Sequence, residues 1–164
     1  MKVKSLEELI SKSPRRVFIE ENIMKKAGDI VEWSLDIVNN SPKSRGPYIS
    51  LDFSGPSHFK MFLVDGERKE KISRNYTLRD VSLRIMLATM RAYLTNYKFG
   101  EWADVYDLKL KASEMHKGVN PSKVNHFLKM RGRKRRIFER NDDRVRMKYP
   151  VNELVLTEDC IYRK

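Results

Sequence analysis

Residues 119–149 read VNPSKVNHFLKMRGRKRRIFERNDDRVRMKY, and the rest of the chain is organised around them. Asn120 can cap a helix that has Pro121 at its first position, where a missing N–H costs nothing. Val124, Phe127 and Leu128 give that helix an inward face. A basic run follows, after which 135–140 and 144–149 can pair as a hairpin across Asn141, Asp142 and Asp143, residue types that tolerate turns. Between 129 and 148 stand ten basic residues: Lys129, Arg131, Arg133, Lys134, Arg135, Arg136, Arg140, Arg144, Arg146 and Lys148. Only Glu139, Asp142 and Asp143 oppose them, so this stretch carries seven of the chain's twelve net positive charges. A polyanion is the natural partner, because neutralising its phosphates releases counterions.

Upstream, 101–117 reads as another helix, with Val105, Leu108, Ala112 and Met115 along one side and Gly118 at its end. Helix, short turn, helix is the helix-turn-helix outline. With the basic hairpin added, 101–149 resembles a winged helix-turn-helix DNA-binding domain. The resemblance implies that the second helix enters the major groove and that the wing touches backbone or minor groove. Lys123, Asn125, His126 and Lys129, on the face opposite Val124 and Leu128, would then be the reading residues. Asn125 would suit adenine, and Lys123 or Lys129 guanine or a phosphate. Arg131, Arg133, Lys134, Arg135, Arg136, Arg140, Arg144 and Arg146 would be mainly phosphate contacts. The run 129–136 is more basic than such a connection usually is, which favours binding dominated by the backbone.

The N-terminal half has a different texture. Short helices are expected over 5–10 and 17–27, the second ended by Gly28. From residue 30, Val31, Trp33, Leu35 and Ile37 alternate with Glu32, Ser34 and Asp36, the pattern of a strand with one buried face. Ile49, Leu51 and Phe53, then Phe59, Met61 and Leu63, repeat that alternation. Asp65-Gly66 is a hairpin signal leading into a polar strand over 67–74. Gly28-Asp29-Ile30-Val31-Glu32-Trp33 resembles the first strand of small SH3-like barrels of the KOW or Tudor kind. Residues 77–96 form the clearest helix, with two apolar stripes that predict burial on most sides. Asn75 or Thr77 can cap it, and 96–100 reads as a hinge.

The expected fold is therefore α+β. An N-terminal domain over 1–96 carries a small antiparallel sheet and a central helix; a winged-helix-like module with a basic β-hairpin occupies 97–164. Forty per cent hydrophobic residues and 16 aromatic ones predict a folded, soluble chain. No apolar run nears the roughly 20 residues that cross a bilayer, and the N-terminus lacks the apolar core of a signal peptide. A cytoplasmic, nucleoid-associated location follows as the default. Cys160 has no partner for a disulfide, and with three scattered histidines it makes no zinc site. No metal and no cofactor are expected. His58 and His116 read as structural, and Cys160 as a small core residue.

These features predict a non-catalytic protein that binds double-stranded DNA, as a transcription modulator or nucleoid accessory. RNA offers the same phosphates. A basic face docking on an acidic protein partner is the rival among binding functions, and the N-terminal sheet is where a homodimer or protein partner would attach. One enzymatic pattern stands beside these: Asp52, Glu67 and Lys69 resemble the spacing of PD-(D/E)xK nucleases, in which two carboxylates hold Mg²⁺. Those motifs place the second carboxylate on a buried strand, whereas Glu67 directly follows a turn. Of the aromatic residues, Trp33, Phe53 and Phe59 read as core, with Tyr48 and Phe62 on the opposite sheet face.

Overall fold

The stretch 30–37, expected as a strand, is the second half of a helix. The computed structural model describes residues 21–55, 58–77, 80–129 and 137–156, and its first element is α1, Glu21–Asn40. Val31, Trp33, Leu35 and Ile37 do alternate with Glu32, Ser34 and Asp36, but all except Asp36 are buried. A helix enclosed on every side has no solvated stripe to interrupt an alternating pattern, so period alone does not separate it from a strand. The polar residues are satisfied in helical geometry. Ser34 Oγ donates to the Ile30 carbonyl one turn back at 2.7 Å, and Asp36 accepts from Arg91 at 2.5 Å. Gly28 lies inside α1 rather than ending a helix, and the six residues that resemble a barrel strand are helical. The helix expected over 5–10 and the start of the one over 17–27 lie outside the described residues.

The meander that follows is present, with the polar strand expected over 67–74 confined to 68–71. β1 (Tyr48–Gly55), β2 (His58–Asp65) and β3 (Arg68–Lys71) are successive antiparallel strands, with β4 (Tyr76–Thr77) also on β2. Ile49 lies opposite Leu63 and Leu51 opposite Met61, which gives the sheet one apolar face. Phe53 and Phe59 close it edge-to-face at 4.9 Å. Gly66, with φ +62°, makes the β2–β3 turn that a side chain would strain. The sheet does not end there. β8, Val151–Leu156, returns to lie parallel to β1 and gives the order β3-β2-β1-β8. Asn152 fixes the return: it accepts from Ser44 N and donates to the Pro42 carbonyl, both at 2.8 Å.

That strand crosses the boundary expected at 96/97, because the last described segment completes the first sheet. The core is likewise continuous. α2, Val81–Asn96, buries every residue from Ile85 to Leu94, and Tyr93 meets Phe138 edge-to-face at 6.0 Å. Its cap is Asp80, whose carboxylate accepts from Ser82 N at 3.1 Å; Thr77 is taken up by β4. Nor is 96–100 a free hinge. The Tyr93 hydroxyl donates to the Glu101 carbonyl at 2.6 Å and accepts from Gly100 N at 3.1 Å.

Four helices and two sheets are thus present among the described residues. The second sheet is small: β5 (Ala103–Asp104), β6 (Phe138–Asn141) and β7 (Arg144–Met147), in the order β5-β7-β6. Between β5 and β6 stand α3 (Val105–Met115) and α4 (Pro121–Phe127). No helix among the described residues is long and apolar enough to cross a membrane.

Candidate nucleic-acid interface

The site is assembled by two caps and one latch. Asp104 caps α3, accepting from Asp107 N at 3.1 Å, which starts that helix at the first residue of its apolar stripe, four residues after the expected start at 101. Asn120 caps α4, accepting from Ser122 N at 2.8 Å, with Pro121 at its first position. Gly118, at φ +84°, turns the chain between the helices. Val124, Phe127 and Leu128 are buried, and Phe127 meets Phe138 of the hairpin edge-to-face at 5.9 Å. This packing leaves Ser122, Lys123, Asn125, His126 and Lys129 exposed.

The hairpin turns through Asp142, whose φ of +54° suits the short polar residue found there. Arg140 is the latch. Its guanidinium donates to the Leu128 carbonyl at 2.7 Å, just past α4, and to the Asp142 carbonyl at 2.6 Å. The Asp143 carbonyl accepts from Val105 N at 2.8 Å, so the turn is also tied to the start of α3. Arg146 faces another way: it is paired with Glu139 and lies over the Trp102 ring at 4.4 Å.

The basic residues expected to act alike therefore divide. Lys123, Lys129, Arg140 and Arg144 are exposed and Arg146 is half-buried, but the guanidinium groups of Arg140 and Arg146 are bonded to the protein itself. Arg131, Arg133, Lys134, Arg135 and Arg136 lie outside the described residues. Asn125 shares a cleft of about 320 Å³ with Tyr106 and Lys109 of α3 and with Arg140 and Asp143 of the hairpin. Tyr106, 63% exposed with the Lys109 ammonium 4.6 Å from its ring, was not singled out by the sequence reading. The available signal was its place off the Val105–Leu108–Ala112 stripe.

The electrostatics behind this face are set by burial. His116 is 1% exposed against the Trp33 ring, and a proton on Nδ1 donates to the Ala112 carbonyl at 2.9 Å. Burial lowers it to about 4, helped by Arg91 and Arg84 and opposed by the Ala112 bond. Tyr97 donates to Asp107; burial first, then that carboxylate, push the phenol up. The Tyr97 and Lys111 contacts hold the Asp107 carboxyl below its usual range.

The nuclease-like residues are not gathered as a set. Asp52 is opposite Lys60, whereas Glu67 follows the turn beside the Asp65–Arg68 pair, five residues along β2 or about 17 Å away. Burial pushes the Asp52 carboxyl up, against the pull of Lys69 and Lys60, and the carboxylate that adds to the rise is Glu153 of β8. Among the described residues no three His, Cys, Asp or Glu side chains are grouped to hold a metal ion. Comparison with protein-family models, with curated proteins and with solved structures found no match.

Proposed function

We propose that this protein is a non-catalytic binder of double-stranded DNA, and that 81–147 form a winged helix-turn-helix unit whose first helix is also the core helix of the whole chain. What carries the reading is a single arrangement. α4 is held by its apolar side while Lys123, Asn125, His126 and Lys129 face solvent, with a hairpin latched beside it through Arg140. The element order adds support: helix, short strand, two helices, hairpin, with β5 as the third strand of the wing's sheet. In this reading α4 enters the major groove, Asn125 meets an adenine edge and Lys123 or Lys129 a guanine or phosphate. Arg144 and the basic run 131–136 supply phosphate contacts, which makes affinity steeply salt-dependent. Arg140 and Arg146 shape the wing instead of touching DNA. The protein acts as a transcription modulator or a nucleoid accessory.

The test is fluorescence anisotropy of a labelled duplex across a salt series, with random and selected sequences. Log affinity should fall linearly with log salt, with a slope of about −0.9 per phosphate neutralised. Preference for a selected sequence would indicate an operator-reading regulator; uniform binding would indicate a coating protein. No duplex binding at low salt overturns the proposal, and tighter binding to RNA would move it to that polymer.

A further inference from the structure

On the other side of α4 from the Asn125 cleft there is a second opening, of about 330 Å³, between α4 and the start of α2. Its walls are Val81, Ile85 and Phe127, so most of its surface is apolar. Val81 is one of two large hydrophobic residues left markedly exposed among those described, at 52%. The polar residues of its lining are few: Ser82, Ser122, Lys123 and His126. Lys123 and His126 are exposed, and their side chains make no hydrogen bond or ion pair with other described residues. The acid next to Val81 along the chain, the cap Asp80, is already paired with Arg74 at 2.9 Å. Opening, apolar wall and unneutralised cation together define the chemistry of an occupant. A pocket near the lower end of the usual range of roughly 300–1,000 Å³, mostly apolar with a few polar residues in its lining, suits a small ligand.

We infer that this cavity binds a small amphipathic anion, a flat apolar body of one or two rings bearing a carboxylate or phosphate, with the rings against Val81, Ile85 and Phe127 and the charge at Lys123. The ligand and duplex DNA compete, because Lys123 and His126 belong to both surfaces. Only that second statement rests on the DNA-binding reading.

The experiment uses the full chain and two probes that differ only in charge, 1-naphthoate and 1-naphthamide, titrated by isothermal calorimetry and by protein NMR. Naphthoate should bind more tightly than the amide. Lys123→Gln should weaken naphthoate about fivefold and leave the amide unchanged, the loss expected for one exposed charge contact. Val81→Trp, at a position exposed enough to accept the ring, should fill the cavity and weaken both probes. Absence of naphthoate binding, equal binding of acid and amide, or binding indifferent to Val81→Trp overturns the site. Naphthoate should also raise the apparent Kd for duplex in wild type but not in Val81→Trp. Duplex binding without naphthoate binding removes the ligand site and leaves the DNA reading intact. Naphthoate binding in a protein that ignores duplex leaves the site and removes the competition.

Discussion

The wing and α4 both present basic residues, and the folded protein leaves them in different company. On the wing only Arg144 is exposed without a bond from its side chain to the described residues, whereas neither lysine side chain of α4 and its end is bonded. On the wing, Arg140 spends two of its five donors on backbone carbonyls, and Arg146 is held by Glu139 and Trp102. On α4, Lys123 and the following Lys129 point into solvent. The difference teaches that a basic residue counts toward a polyanion surface only when nothing inside the protein already occupies its donors. An arginine, with five donors in a rigid fork, is well suited to internal latches; a lysine on a helix surface is not.

The sharpest way to break this contrast is to remove the seam on which both regions stand. Phe138 is fully buried between Tyr93 of α2 and Phe127 of α4. Phe138→Ala should cost about 3–5 kcal/mol in urea unfolding, as large-to-small core changes do. A loss under about 1 kcal/mol would mean that the hairpin does not pack on the helices as described.

His116 probes a different contact by proton, the one between the end of α3 and Trp33 of α1. Its ordinary value is 6.5 and its folded value about 4, so the folded chain keeps the ring neutral where the unfolded chain charges it. Between those values the unfolded state binds more protons, and stability must fall as pH drops through that window. The full loss is about 3 kcal/mol. Urea midpoints at successive pH values from 7 to 4 should show this decline, and His116→Phe should flatten it. An unchanged slope in the variant would assign the acid sensitivity to other groups.

How much of this was legible depends on how locally each feature is encoded. Asn120-Pro121, Asp65-Gly66 and the alternation of β1 and β2 are local signals, and the elements they announce are present. α1 was misread because its polar residues, Ser34 and Asp36, are satisfied by a carbonyl one turn back and by Arg91 fifty-five positions away. β8 was missed as a partner of β1 because a parallel pair needs a long crossover and leaves no turn signal. In the candidate site, α4's exposed face could be read from spacing. The latch could not: the acceptor of Arg140 is the Leu128 carbonyl, and a backbone carbonyl has no letter in the sequence. The cavity beside Lys123 is hidden for a similar reason, since Val81 and Phe127 meet only in the fold.

Arg146→Ala should be milder, about 1–2 kcal/mol, because the pair is partly solvated and the guanidinium also lies over Trp102. The smallest effect on stability, and the most informative, comes from Lys123→Ala/Lys129→Ala. Both side chains are exposed and neither is bonded within the described protein, so unfolding should shift by no more than about 0.5 kcal/mol. Duplex affinity at low salt should nevertheless fall, and the slope of log affinity against log salt should drop by about one for each lysine that meets a phosphate. Arg140→Ala should behave in the opposite way, lowering stability by about 1 kcal/mol through its lost carbonyl bonds while leaving the salt slope of the folded protein unchanged. If instead Arg140→Ala flattens the slope and the lysine pair does not, the latched arginine is the phosphate contact. The division between held and free charge would then have to be redrawn with the wing as the binding element.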